Sequence, residues 1–238
     1  MCIEKIGKEV FEVEPVIPIY SIPIGNYSID ITTSVICQWA AILVLGICSF
    51  LLTRNLKRKP DKKQAALEKI YISVKSLVTN TMGDEYAGYV PYIGSLVVYL
   101  LVLNFMGLVG LKPPTQDISV AMGLSISTFI AIHYTALKRN GLGGYLKGYA
   151  HPFAIMLPIN IMERVMLPVS LTLRLFGNML AATVLVELVY ETLAEVGAVF
   201  QFGAPIIVHG YFDLFDGTIQ MLVFTMLTMI QIKLTAEE

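Results

Sequence analysis

Met166-Leu-Pro-Val-Ser-Leu-Thr-Leu-Arg-Leu-Phe-Gly-Asn-Met-Leu-Ala-Ala-Thr183 is apolar enough to be a membrane helix, yet Arg174 stands in its middle. No acidic residue lies between Arg164 and Glu187. An arginine does not shed its proton in a protein. Measured or simulated, that charge at mid-bilayer costs from about 3 to more than about 10 kcal/mol, against about 5–15 kcal/mol for the stability of a whole domain. A polar pathway, or a counter-charge on a partner, has to offset it. The charge is there to be used.

The composition around this stretch is 55% hydrophobic and 15% charged, with a mean hydropathy of +0.69. A soluble domain is about a quarter charged, so most of this chain is expected in the lipid bilayer. A net charge of −1 gives no basic character for nucleic acid. Cys2, Cys37 and Cys48 show no metal or redox spacing, and the latter two fall in an apolar helix as packing residues. The first thirty residues lack a basic start followed by a compact apolar run, and they are acidic rather than Arg-rich. Neither a cleaved signal peptide nor an organellar transit peptide is expected. No internal repeat or low-complexity segment stands out.

Taken in order, residues 1–30 read as an extended or loosely ordered external tail. Residues 31–53 form a first span, which ends at Arg54-Asn-Leu-Lys-Arg-Lys-Pro-Asp-Lys-Lys63, six positive charges against one negative. The positive-inside rule makes that face cytoplasmic and puts the N-terminus outside. In the basic segment 54–85, the apolar residues of 64–82 recur at helical spacing, predicting an amphipathic helix on the inner surface; a solvated cytoplasmic helix is the alternative. Residues 86–137 hold two spans, about 86–111 and 118–137. Pro91 is expected to kink the first, and Lys112-Pro-Pro-Thr-Gln-Asp117 is an outer turn with no helix. The internal loop 138–157 is glycine-rich and again basic. Residues 158–238 form a hairpin of two long helices, about 158–193 and 204–234. At 1.5 Å per residue the former is on the order of 50 Å, against a hydrocarbon core of about 30 Å. It must tilt, kink at Pro168 or run along the interface. The predicted fold is an all-α polytopic membrane protein of five spans, the last two strongly tilted, with an amphipathic surface helix and a cytoplasmic C-terminus.

Polar groups inside the spans gather on the last two helices. At 100° per residue Asn178 lies about 40° from Arg174 and one turn outward, while Glu163 lies about 20° from it and about 16 Å inward. On the last helix Asp213, Asp216 and Gln220 fall within about 60° of one another, and Gln231 continues the stripe. Since the helices run oppositely, Thr183, Asp213 and Asp216 share the outer side, with Arg174 and Gln220 near mid-depth. That predicts an outward-opening polar groove ending at a fixed positive charge. Plainer readings exist: both aspartates in an external loop, Gln220 as interhelical glue, Arg174 snorkelling. His133, His151 and His209 share no ligand spacing, and Gly144-Tyr-Leu-Lys-Gly148 is a chance GxxxG in a basic loop.

Leu173-Arg-Leu-Phe-Gly-Asn-Met179, with Pro168-Val-Ser170 before it, closely resembles the signature of subunit a of the F-type ATP synthase. Leu103-Asn-Phe-Met-Gly107, Pro114-Thr115, Asp117, Pro158-Ile-Asn160 and Glu163 extend the likeness, and so does Gln220 followed by Leu222-Val-Phe-Thr-Met-Leu-Thr-Met229. The resemblance covers residues 31–238. It implies a stator in which two half-channels meet a rotating ring of c subunits, each with a membrane carboxylate, beside peripheral-stalk b subunits in a bacterial inner membrane. Arg174 matches the arginine that separates the half-channels and attracts the ring carboxylates; Asn178 and Gln220 match positions near it. The chain departs from the family at Thr183, where Glu or His is frequent, and at Asp213, where His or Glu is frequent. Asp213, with Asp216, would then supply the outer acid group. Asn160 and Glu163 are the inner candidates. Protons are the favoured cargo, with sodium open.

No cofactor, metal or catalytic chemistry is expected of the chain itself, since no phosphate-cradling glycine loop or convergent triad is present. The rival is a stand-alone ion-coupled transporter using Arg174 to bind an anionic substrate. Its usual paired halves with broken helices are absent from the sequence.

Overall fold

A segment immersed in lipid has no water to satisfy its backbone, so it closes its own hydrogen bonds as helix. Among the described residues, five helices are long and apolar enough to cross a membrane. The computed structural model describes residues 20–24, 27–54, 61–109, 113–148, 155, 157–196 and 210–237. The readings of 1–19 as a tail, of the basic residues 55–60, of Lys112, His151 and His209, and of the joining segment 197–209 fall outside them.

The described end of the expected tail is a paired structure. Strands β1 (Tyr20–Ile24) and β2 (Tyr27–Ile31) run antiparallel, with Tyr20 opposite Ile31 and Ile24 opposite Tyr27. Gly25-Asn26 between two runs alternating apolar and polar is a two-residue hairpin signal, so this pairing was open to a closer reading. Thr32 then caps α1 (Thr33–Thr53), accepting the Val35 N–H at 3.4 Å and donating to Asp117 Oδ2 at 3.0 Å. Ala41 is the buried residue of α1, and Trp39 is 62% exposed. This helix meets lipid or a partner over most of its surface.

Helix α2 (Lys62–Met82) coincides with the amphipathic periodicity. It turns Val78 and Met82 into the core and leaves Ile70, Tyr71 and Ile72 exposed. A 3-10 segment, Asp84–Tyr89, leads into α3 (Val90–Phe105). Pro91 does not kink it: the proline sits in the first turn, where its missing N–H has no partner to lose. The outer turn also differs from expectation. Pro114–Gln116 is one 3-10 turn, which tolerates proline at its start.

Helix α4 (Ile118–Gly148) breaks at Gly141, where φ is 66° and ψ 170°. The glycine-rich stretch expected as loop is therefore helical beyond the break. Its Tyr145 hydroxyl meets His133 Nδ1 at 2.8 Å. Helix α5 (Leu157–Val196) has 40 residues, about 60 Å at 1.5 Å per residue. Pro168 stands inside it, and the Thr172 hydroxyl donates to the Pro168 carbonyl at 2.7 Å. The last helix opens with a π-turn, Phe212–Asp216, and continues as α6 (Gly217–Glu237).

Two apolar clusters hold the bundle. Val78, Met82, Tyr86, Ile93, Ile132 and Met229 fill the end beside α2, and Leu100, Leu124, Leu171, Leu175, Met221 and Phe224 fill the middle. Both include α6, so α6 is the spine. Helix α4 packs along α5 on one side and α6 on the other, while α5 and α6 approach each other closely at few points. The gap between the two long helices is where the polar groups lie.

Candidate functional site

The middle of the gap is bridged by one amide pair. Asn178 Nδ2 on α5 donates to Gln220 Oε1 on α6 at 2.6 Å. Gln220 is 1% exposed, and its Nε2 has no protein acceptor. Neighbouring Thr225 and Thr228 spend their hydroxyls on their own helix, at the Met221 and Phe224 carbonyls. Arg174, one turn before Asn178, is half-buried, with Leu175 beside it in the core.

Two cavities open on either side of this bridge, and they share no lining residue. A cavity of about 260 Å³ is lined by Glu163, Ser170 and Arg174 of α5 and by Leu227 and Gln231 of α6. A second, about 160 Å³, is lined by Asn178, Ala182 and Leu185 of α5 and by Phe212 and Asp216. Both exceed the room one water needs, about 10–15 Å³ on this measure. The sequence-expected groove is thus two separate hollows, the larger bordered by Arg174 and the smaller by Asn178.

At the Asp117 end the candidate residues divide. The π-turn places Asp213 and Asp216 on different walls, where an unbroken α-helix would set both on one stripe with Gln220. The physical reason is the extra residue: an i→i+5 turn advances less angle per residue than an α-turn. Asp216 lines the smaller cavity, whereas the Asp213 carboxylate lies against Gly107, just past α3. Both aspartates lie within helical turns rather than in a loop. Thr183 accepts from Gln116 Nε2 at 2.5 Å and donates to the Met179 carbonyl at 2.9 Å. Asn104, fully buried, donates to the Gly217 carbonyl at 3.0 Å and accepts from Thr115 at 3.4 Å. The Asn104 bonds tie Gly217, just after the π-turn, to α3 and α3 to the 3-10 turn before α4, and the Gln116–Thr183 bond ties that turn to α5.

At the opposite end Glu163 is exposed at the rim of the larger cavity. Asn160, half-buried and one turn earlier, is not among its lining residues. The same end of the bundle carries an ion pair between Arg139 and Glu85, with the Arg139 guanidinium 4.6 Å from the centre of the Tyr86 ring. Among the described residues no group of three or more His, Cys, Asp or Glu is placed to hold a metal ion.

Sequence reasoning passed over several members of this site. Ser170 stands four residues before Arg174, which puts both on one face. Gln231 continues the polar stripe of the last helix, and the stripe by itself gives it no role. Gln116 gave no signal, because a glutamine in a proline-rich turn reads as solvated surface. Asn104 and Gly107 belong to a recognised motif, but nothing in one dimension brings them to the last helix.

Comparison with known proteins gives this arrangement relatives. The family model described as ATP synthase A chain matches residues 35–233. The sodium ion specific ATP synthase subunit a of Propionigenium modestum is 31% identical over 229 residues, covering 88% of this chain and 75% of the relative. ATP synthase subunit a of Moorella thermoacetica is 32% identical, covering 92% of both chains. A third relative, ATP synthase subunit a 3 of Pelobacter propionicus, is 36% identical over 205 residues, 84% of this chain and 86% of its own.

Proposed function

The chain belongs to the ATP synthase A chain family and is a multi-pass membrane component of the ATP synthase complex; from that premise we propose that it is the stator that forms two proton half-channels against the c-ring. The observation that carries this reading is the pair of cavities with no shared lining, one on each side of the Arg174–Asn178–Gln220 level. A continuous pore would leak. Two separate hollows, the larger bordered by the fixed charge of Arg174, would pass ions from one to the other only by way of a moving partner group.

Charge bias sets the orientation. The basic run from Arg54 to Lys63, together with Lys138 and Arg139, marks the cytoplasmic face of a bacterial inner membrane. The N-terminus is then outside and the C-terminus inside. Asp216, Asp213 and the Gln116–Thr183 pair form the outer half-channel; Glu163, Ser170 and Gln231, with Asn160 at the mouth, form the inner one.

A ring carboxylate surrounded by lipid is held neutral, because burial disfavours its charged form. Facing Arg174 the ionised form is favoured: an opposite charge about 4 Å away contributes about 4 kcal/mol at an effective dielectric constant of about 20. The proton leaves through the inner hollow, the ring steps, and the next carboxylate is protonated from the outer hollow. The Arg174 charge also repels a bare proton crossing directly between the hollows. Asn178 and Gln220 hold the helices at this level, and the chain does no covalent chemistry itself. Peripheral-stalk b subunits keep it from turning with the ring.

The test is Arg174→Ala in the assembled complex. Ion-driven ATP synthesis in membrane vesicles is expected to vanish while the complex still assembles. Retention of coupled synthesis would remove the mechanism.

A further inference from the structure

A glycine can serve a positive φ or a close approach, and among the described residues only Gly83 and Gly141 have a positive φ. Gly107, in the 3-10 segment Met106–Val109, does not. The demand at Gly107 is for space. A Cβ built there would lie 2.6 Å from Asp213 Oδ2, 2.8 Å from Cγ and 2.9 Å from Oδ1. A point at such similar distances from all three atoms lies over the face of the carboxylate, so the group rests flat on the glycine. Gly46, Gly123 and Gly177, also in helices, have nothing within 4 Å of the same construction.

A second close approach lies three residues away. A Cβ on Gly217 would be 3.0 Å from the Asn104 Cβ, and Asn104 holds the Gly217 carbonyl. The π-turn is therefore seated at two points on one short segment, each time with a glycine on one side of the contact. We propose that Gly107 is the positioning residue for the Asp213 carboxylate, its missing side chain being the seat that fixes where that acid meets the outer half-channel. This rests on Asp213 acting as an outer acid group. An aspartate has one carbon between backbone and carboxylate, so it has no slack to bend around a methyl group. It must change rotamer, which carries the carboxylate off by about 2 Å.

The experiment uses the assembled complex in energised membrane vesicles, with ATP synthesis followed against the pH of the outer compartment and assembly checked by membrane-bound ATPase. Gly107→Ala and Asp213→Asn are each expected to lower synthesis and shift the outer pH profile, by a factor between about 5 and about 100 at the wild-type optimum. The double exchange Gly107→Asp with Asp213→Gly places a carboxylate in the same volume from the opposite wall. It is expected to recover a wild-type pH profile that neither of its single variants shows. A shift with Asp213→Asn but none with Gly107→Ala would overturn the seat while leaving the outer acid standing. A silent Asp213→Asn would remove the outer acid itself, and this proposal with it. A double exchange no better than its singles would also overturn the seat, because packing lost at Gly107 would then explain the effect without the carboxylate's position.

Discussion

Asn178→Leu cuts the amide link between the two long helices. The variant leaves Gln220 Oε1, on a side chain 1% exposed, without its 2.6 Å donor. Hydrogen bonds between membrane helices average about 0.6 kcal/mol and reach about 1.7 kcal/mol. At about 1.4 kcal/mol per decade of rate, that is about a 3-fold to about a 16-fold loss. Burial of Gln220 places this bond toward the upper end, since water cannot readily replace the lost partner. Gln220→Leu removes the same bond from the other side, with a side chain of similar size. If the two amides act as a unit, Asn178→Leu with Gln220→Leu should be no slower than the slower single variant. Rates of ion-driven ATP synthesis for wild type, two singles and the double give the coupling directly as a double-mutant cycle. Effects that simply multiply, leaving coupling under about 0.3 kcal/mol, would show that the pair does not hold the site together.

Two further perturbations probe the frame around the site. Gly141 combines φ 66° with ψ 170°, a region nearly reserved for glycine, so Gly141→Ala should cost about 1–3 kcal/mol; lower assembly yield and loss of the Tyr145–His133 contact would register it, and a neutral alanine would refute the break. In a background lacking Cys2, Cys37 and Cys48, Asp216→Cys should react with a membrane-impermeant thiol reagent from outside and Glu163→Cys from the cytoplasmic side. The reverse pattern would invert the topology.

Much of this molecule could be read without coordinates, because lipid makes sequence legible. A span must be helical and apolar, so α1, α3, α4, α5 and α6 announce themselves, and the charge of Arg174 is conspicuous against them. Departures arose wherever a local rule has two outcomes. Pro91 breaks a helix interior but fits a first turn. Gly141 can end a helix or turn it, and here a further helical segment follows. The hairpin of β1 and β2 rested on a Gly-Asn signal inside an otherwise unremarkable tail. Within the site, Arg174, Asn178 and Gln220 were accessible from helical angle alone. The division of Asp213 from Asp216 was not, since a π-turn leaves no mark in composition and every angular estimate assumed 100° per residue. Gly107 was hidden for a different reason: its role depends on an aspartate over a hundred residues later.

The same geometry accounts for how the chain tolerates its central charge. Helix α5 would be cheapest packed flush against α6, since both are apolar along most of their length. Instead α4 takes the packing surface of each, and the gap left between them holds hollows of about 260 and 160 Å³. The larger has room for several waters, and its wall combines Arg174, Glu163, Ser170 and Gln231 with the apolar Met166, Leu167, Leu171 and Leu227. A guanidinium bordered by such a cavity keeps part of its hydration, which lowers its cost well below that of an arginine in continuous hydrocarbon. Hydration from one side alone would leave the charge still needing a counter-charge on the other. On the proposed reading a ring carboxylate supplies it transiently, and the need is met most strongly when that carboxylate is ionised. On that reading the residual cost of Arg174 would be the source of its selectivity for one protonation state. Filling the larger cavity should raise that cost, and sealing the smaller one should not.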